Sequence, residues 1–413
     1  MFSGSLKPLK TGYFIIDDMQ NILASIFLFS YFVDFMTAPK SISIGLLFIF
    51  TLYNFRTMPV IQNFADASKN FKISILSLLV FVCFILFLSF LNSTEYLEDS
   101  LKTLQKDMLM PIVFLLWIIS FAQKVNYKLI VYSTAVSVCA DNIYFTFDEH
   151  AVDTLVVSRK YSAIAPMIFP FLLTAIYLIK SNALRIFLII NVLYSIILVA
   201  ASGARSGYYI LLMELFLWFC IFLFNTKRNK KILLSIFTLI LLLFTVVLII
   251  LSHYSDTFKK SVERHMSSNG RLEIVEHRFP IFVEHGNLLV GFGHADKAYQ
   301  IFFKKYNAPL DYTNIHDGAL QYNSDEPYIL RVLYNYGIFG LLLYIWLLFF
   351  IGKSAYFAFL RTRDFATLSI LISMFSYFLL RGAVENLNLN FVLVLLVIAI
   401  AFIQKAENKG AVN

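Results

Sequence analysis

The chain of 413 residues is 59% hydrophobic and 15% charged, and it carries a net charge of +8. Soluble domains are about one quarter charged, so this composition excludes a single water-soluble core. It defines an all-α polytopic membrane protein.

A helix needs roughly 20 apolar residues to cross the hydrocarbon. In chain order such runs fall at 19–36, 41–56, 73–91, 108–122, 128–146, 161–179, 185–201, 207–225, 232–252, 328–352, 365–380 and 387–403. These are about 12 transmembrane helices. Asn54 interrupts the second, and Asp141 and Asn142 the fifth.

Basic residues resist translocation, so short cytoplasmic loops are rich in them. With the N-terminus inside, the inner segments hold Lys7 and Lys10, then Arg56, Lys69 and Lys72, then Lys124 and Lys128, then Lys180 and Arg185. They continue with Lys227, Arg228, Lys230 and Lys231, then Lys353, Arg361 and Arg363, then Lys405 and Lys409. Acidic residues mark two outer loops, with Glu95, Glu98, Asp99 and Asp107 in one and Asp148, Glu149 and Asp153 in the other. Both termini are therefore expected in the cytoplasm. The chain divides into 1–252 with nine spans, a large extracytoplasmic loop at 253–327 between spans 9 and 10, and 328–413 with three spans and a tail.

The positive charge follows from this topology and calls for no nucleic acid; basic clusters beside spans meet anionic headgroups of the bilayer. Cys83, Cys139 and Cys220 lie in or beside apolar runs and form no disulfide framework. No small-residue cleavage site follows the first span, so that span reads as a retained anchor. The 44 Phe and 23 Tyr fit lipid-facing bulk and interfacial belts.

The large loop holds six of the seven histidines: His253, His265, His277, His285, His294 and His316. Within it, Arg271 to Arg278 has the pattern of a short amphipathic helix, with Ser268 or Asn269 as its cap. The two arginines would share one face, and Pro280 is expected to bend or end the helix. Gly291-Phe-Gly293-His294 marks a turn. Pro327 suits the first turn of the tenth span. No His-Glu-x-x-His or comparable cluster occurs, so no metal and no other cofactor is expected.

Three segments then carry a resemblance. "DEPYILRVLYNYGIFGLLLYIWLLFF" from Asp325 sets acidic residues before an aromatic start and a Gly-Ile-Phe-Gly turn into an apolar span. "SGARSG" (Ser202 to Gly207) places small residues around an arginine at a span's outer end. "GRLEIVEHRFPIFVEHGNLLVGFGH" (Gly270 to His294) runs from an Arg-led helix to Gly-x-Gly. In order and spacing they resemble the O-antigen polymerase and ligase superfamily over roughly 202–345. The remainder agrees in hydropathy. The resemblance implies the fold of the C-type membrane glycosyltransferase class, located in the bacterial inner (cytoplasmic) membrane. It also implies a donor glycan on undecaprenyl diphosphate, transferred at the outer face.

A polymerase extends the chain with the next lipid-linked repeat unit, and a chain-length regulator is then a candidate partner. A ligase instead moves the glycan onto lipid A-core. The family's ligases carry His-Asn in the late loop, whereas this chain has His316-Asp317. That departure tilts the reading toward polymerisation of an O-antigen or capsule, and it weakens any role carried over to His316.

Arg205 stands on the side where topology disfavours arginine; a diphosphate needs such planar cations, although snorkelling to headgroups is the bland alternative. Arg271 and Arg278 can grip the diphosphate or pair with local acids. Arg381 has a site role or an ion pair with Glu385 open to it. Asp325 and Glu326 are the leading general bases for a sugar hydroxyl, or simply carboxylates at a helix N-terminus. His294 and His316 are alternative bases or diphosphate donors, or surface histidines. Glu214, an intramembrane carboxylate, can orient Arg205, face a cavity or sit neutral. Tyr328 can stack on a sugar or belong to an interfacial belt. A flippase for the same lipid-linked sugars is the competing class, but such transporters show Gly/Pro breaks in corresponding halves. Pro111, Pro166 and Pro170 have no counterparts of that kind here.

Overall fold

A computed structural model describes residues 11–33, 35–65, 67–92, 97–147, 159–201, 205–225, 271–306, 327–383, 385 and 387–410, with isolated positions 238, 242 and 246. The described residues are predominantly helical, without strands. The helices are α1 (Thr11–Phe32), α2 (Thr37–Thr57), α3 (Val60–Ala65), α4 (Lys69–Asn92), α5 (Leu97–Phe121), α6 (Tyr127–Phe147), α7 (Arg159–Leu178), α8 (Asn182–Ala201) and α9 (Arg205–Asn225). After them come α10 (Arg271–His285), α11 (Asp296–Lys305), α12 (Tyr328–Thr362), α13 (Phe365–Ser373), a π-helical continuation (Met374–Arg381) and α14 (Leu389–Gly410). Eleven of the twelve expected spans fall on these helices, and the ninth, apart from the isolated positions 238, 242 and 246, lies outside the described residues. Among the described residues, eight helices are long and apolar enough to cross a membrane. The chain is an all-α polytopic membrane protein.

The centre of the bundle is α14, whose apolar window is 83% buried while α2 reaches only 28%. It packs on α5, α12 and α13, and α7 bridges α6, α8, α9 and α13. On α2 the exposed Ile42, Leu46, Ile49 and Leu52 recur at helical spacing, a face suited to lipid.

Polar residues that interrupted the sequence pattern turn out to join helices. Asn54 on α2 and Gln20 on α1 exchange amide bonds of 2.9 and 3.2 Å, and Trp117 on α5 donates to the same Gln20 oxygen at 3.1 Å. Asn142 on α6 donates to Asn191 Oδ1 at 3.0 Å and to Ser195 Oγ at 3.1 Å, both on α8. In lipid, where apolar surfaces have no hydrophobic drive to associate, such bonds hold neighbouring helices together.

Of the two outcomes expected at Pro280, the helix does not end there: α10 runs through it to His285. Both Pro280 and Glu276, whose carbonyl the proline leaves without a donor, are exposed, so water can replace the lost bond. The tenth span also differs from expectation, because α12 is two helices joined at Gly337 (φ 65°, ψ −169°). The part after the break, 338–362, is still about 25 residues long, enough to cross alone.

That break is filled by the loop before α11. Tyr334 and Asn335 end the first part, and their carbonyls accept from the N–H groups of Phe292 (2.9 Å) and Gly293 (2.7 Å). Ile338 and Phe339 begin the second, and their N–H groups reach the carbonyls of Leu288 (2.9 Å) and Leu289 (3.3 Å). The orphan groups of two helix ends are thus satisfied by one stretch of backbone. Two glycines permit the approach. Gly291 (φ +67°) would place a Cβ 2.5 Å from the Tyr334 carbonyl oxygen, and Gly337 would place one 2.2 Å from the Leu289 carbonyl. Both φ values lie where side-chain-bearing residues are strained.

Gly337→Ala is therefore expected to lower the melting temperature of the detergent-solubilised protein by several degrees, from about 1–2 kcal/mol of backbone strain plus the clash. Gly352→Ala, whose nearest obstacle is the Met374 methyl at 3.9 Å, is the matched control and should melt like the parent.

Candidate functional site

The loop segment 271–306 folds onto the first part of α12 around a small aromatic core of Phe282, Tyr299, Phe303, Leu333 and Tyr334. Arg278 is inside that core. It is 2% exposed, donates to the Tyr299 hydroxyl at 2.6 Å, and stacks 5.7 and 5.5 Å from the Tyr299 and Phe303 ring centres. An enclosed guanidinium held by π faces and a phenol organises α10 against α11. Arg271 is the first residue of the same helix, α10, and its side chain lies outside the described residues.

His294 follows the Gly-x-Gly turn and is 2% exposed. Its Nε2 lies 3.1 Å from Asp107 Oδ2 on α5, and its Nδ1 lies 2.6 Å from the Tyr336 hydroxyl on α12. A carboxylate only accepts, so Nε2 carries a proton and, in the neutral ring, Nδ1 accepts from Tyr336. The His294 backbone N–H donates to Ser89 Oγ on α4 at 3.2 Å. One histidine thus ties the loop to α4, α5 and α12. Asp107 and Tyr336 had no site role in the sequence reading. The usable signal was Asp107's position immediately outside the span expected at 108–122.

A second cluster forms where α9, α12 and the π-helical segment meet. Arg381, 3% exposed, donates to Glu385 Oε2 at 2.7 Å, and its guanidinium lies 5.8 Å from the Tyr377 ring centre. Ser206, in the first turn of α9, donates to the other oxygen of Glu385. The Tyr328 N–H, at the start of α12, donates to the Glu385 carbonyl at 3.0 Å, and the Ile329 N–H to the Gly382 carbonyl at 3.3 Å. The Arg381–Glu385 ion pair left open in the sequence is present, and it anchors two helix N-termini at one point. Each such terminus carries partial positive charge suited to an anion. Tyr328 is 3% exposed and packs its ring on Tyr344, 5.6 Å between centres.

Arg205 opens α9 beside Ser206, so its backbone belongs to this cluster, and its side chain lies outside the described residues. Asp325 and Glu326 precede Pro327 and also lie outside them, as does His316. Glu214 is fully buried further along α9 and accepts from Ser376 of the π-helical segment. Its Oε2 has no hydrogen-bond partner among the described residues. A π-helix within an α-helical run widens the turn and is frequent at functional sites. Here it carries both Ser376 toward Glu214 and Arg381 toward Glu385. Among the described residues no three His, Cys, Asp or Glu side chains come together as a metal site.

Fold and cluster together define an integral membrane protein with a charged site at the helix ends nearest its folded loop. A family model described as O-Antigen ligase (Wzy_C) matches residues 190–345, which run from α8 into α12 and include both motif glycines and Arg205. This match supports the O-antigen polymerase and ligase superfamily, whose members are membrane glycosyltransferase-like enzymes of lipopolysaccharide biosynthesis. No curated protein sequence matches the chain.

Removing both members of a buried pair costs less than the sum of the single losses, because each single change strands the other charge. Arg381→Gln and Glu385→Gln should each lower the melting temperature, and the double variant should show a coupling of about 1–3 kcal/mol. Strict additivity in that cycle would deny the pair its anchoring role.

Proposed function

We propose that this protein polymerises undecaprenyl-diphosphate-linked repeat units into a surface polysaccharide, an O-antigen or capsule, at the outer face of the bacterial inner membrane. The observation that carries the reading is the cluster of Arg381, Glu385 and Ser206. It joins the N-termini of α9, which opens at Arg205, and of α12, which Asp325 and Glu326 precede in the sequence. The family match covers α9 and the start of α12, and the Lys and Arg distribution favours an orientation with this end outward and both termini cytoplasmic.

The reaction is an inverting glycosyl transfer. A hydroxyl of the acceptor sugar attacks the anomeric carbon of the donor. The anomeric C–O bond to the diphosphate breaks, and undecaprenyl diphosphate leaves with the bonding electrons. The hydroxyl proton passes to a carboxylate, Asp325 or Glu326, with His316 as the alternative acceptor. Arg205, Arg381 and Arg271 stabilise the charge that develops on the diphosphate. Glu385 and, through Ser376 and the π-helical segment, Glu214 hold Arg381 in position. Tyr328, which follows the acidic pair in the sequence, packs on Tyr344 and sets the start of α12. Arg278 and His294 fix the loop over this end, His294 through Asp107 and Tyr336. His316-Asp317, in place of His-Asn, favours polymerase over ligase, which is the second reading. A chain-length regulator is the expected protein partner.

In a strain lacking the gene, surface glycan should carry a single repeat unit on a gel, and the wild-type gene should restore the ladder. The Arg205→Ala gene should fail to do so, because losing one charge-stabilising donor costs on the order of 10²-fold in rate. Loss of all surface glycan, with long chains on the lipid carrier, would instead assign a ligase.

A further inference from the structure

The stretch 286–295 joins α10 to α11 and carries no Asp, Glu, Lys or Arg, whereas Glu284 precedes it and Asp296 and Lys297 follow it. By sequence it belongs to a loop in water. Its contacts with α4 and α5 give it a depth instead. The apolar run on α4 ends at Leu91, and the one on α5 starts at Met108, directly after Asp107. His294 meets both helices at that level, its N–H donating to Ser89 Oγ at 3.2 Å and its Nε2 lying 3.1 Å from Asp107 Oδ2. It therefore marks the outer edge of the hydrocarbon on two helices at once.

The break in α12 lies below that edge. A Cβ on Gly340 would meet the Phe84 ring at 3.3 Å, and Tyr336 packs on Phe81 with ring centres 6.2 Å apart. Phe84 and Phe81 stand on α4 about 7 and 12 Å before Ser89, at 1.5 Å per residue. Above them α4 still presents exposed Phe87, Phe90 and Leu91. Nor does the first part of α12 lift the junction clear. Tyr328 and Tyr344 would be about 24 Å apart along a straight helix, yet their ring centres are 5.6 Å apart. The part before Gly337 folds back beside the part after it rather than continuing outward along its axis.

Backbone at such a depth must satisfy its own polar groups, because hydrocarbon offers no water. Every N–H from Leu289 to Ala295 has a partner. Asn287 accepts from Leu289 and Val290 on its side-chain oxygen and from Gly291 on its carbonyl. Phe292 and Gly293 donate to α12, His294 to Ser89, and Ala295 to the Gly293 carbonyl. A loop in water has no need of so complete a set. One apolar side chain of the stretch is left outside: Leu289 is 55% exposed. Its carbonyl accepts from the N–H of Phe339, which is itself 50% exposed, and the exposed face continues down α12 through Leu342 and Ile345.

We infer that residues 288–293 form a re-entrant turn within the outer leaflet, and that Leu289 extends the lipid-facing surface of α12, with the acyl chains of the bilayer as its partner. The inference holds for polymerase and ligase alike, since it rests only on the chain being a membrane protein. It sets His294 and Asp107 where hydrocarbon gives way to headgroups, the level at which the diphosphate of a membrane-bound donor also lies.

The test reads depth in the full-length protein. Cys83, Cys139 and Cys220 are replaced by alanine, and single cysteines are introduced as Leu289→Cys, as Glu276→Cys on the exposed side of α10, and as Phe349→Cys on the exposed face of α12. Each is spin-labelled in liposomes of phosphatidylcholine and phosphatidylglycerol. Collisions with oxygen, which concentrates in hydrocarbon, are compared with collisions with a water-soluble nickel chelate. Leu289→Cys should follow Phe349→Cys, with oxygen dominant, and Glu276→Cys should show the reverse. A label at 289 that follows Glu276→Cys would place the turn in water and overturn the inference. Where the bulky label unseats the turn, the smaller free thiol decides. In broken membranes, with both faces open, a lipid-insoluble maleimide should modify Leu289→Cys at least tenfold more slowly than Glu276→Cys. Equal rates would overturn the inference and leave the glycosyl-transfer reading untouched.

Discussion

The interaction on which the described structure depends is the backbone junction between Gly291 and Gly337. A helix broken among apolar neighbours exposes carbonyls on one side and N–H groups on the other, each costing about 1–3 kcal/mol if left unpaired. The stretch 288–293 supplies all four partners at the break in α12. The loop cannot shift register along the helix, because each bond is specific to one turn. Tyr334 is thereby fixed in the aromatic core with Arg278, and Tyr336 is fixed facing His294. Glycine is required on both strands of the junction, since either Cβ would meet the opposing backbone.

From that junction the positions of the remaining groups follow. The first part of α12 can bend away from the spanning part, and this brings the Tyr328 N–H to the Glu385 carbonyl. The π-helical segment performs the reciprocal task on the adjacent helix, turning Arg381 toward Glu385. Two departures from regular α-helix therefore converge on one charged site, while α14 stays regular and buried through the middle of the bundle. The N-terminal helices are held by amide pairs such as Gln20–Asn54, which leave their outward faces free for lipid.

Much of this was legible in the sequence, and for identifiable reasons. Hydropathy located the helices because a spanning segment must be apolar along its whole length, a constraint that leaves little freedom. It placed α12 as one span, however, since Gly337 sits within an unbroken apolar run and only tertiary contact shows that the helix opens there. Asn54 and Asn142 read as defects because their partners, Gln20 and Asn191, lie 34 and 49 residues away. Both glycine motifs were visible, but their pairing was not, because nothing local links 291 to 337. Arg205 stood out by its small-residue motif and its unfavourable side, and Arg381 by its place near Glu385. Asp107 did not, because an acid in an outer loop is ordinary until the histidine that it holds is known.

The central claim is that the cluster at the N-termini of α9 and α12 joins one lipid-linked repeat unit to another. The most direct measurement reconstitutes the purified protein in liposomes with a single substrate, the undecaprenyl-diphosphate-linked repeat unit, and follows product length by mass spectrometry. Our account predicts a ladder of oligomers on the lipid carrier, with one undecaprenyl diphosphate released per added unit and no ladder from the Arg381→Gln protein. If the repeat unit stays monomeric until lipid A-core is supplied, and is then transferred to it, the protein is a ligase and the polymerase account is wrong.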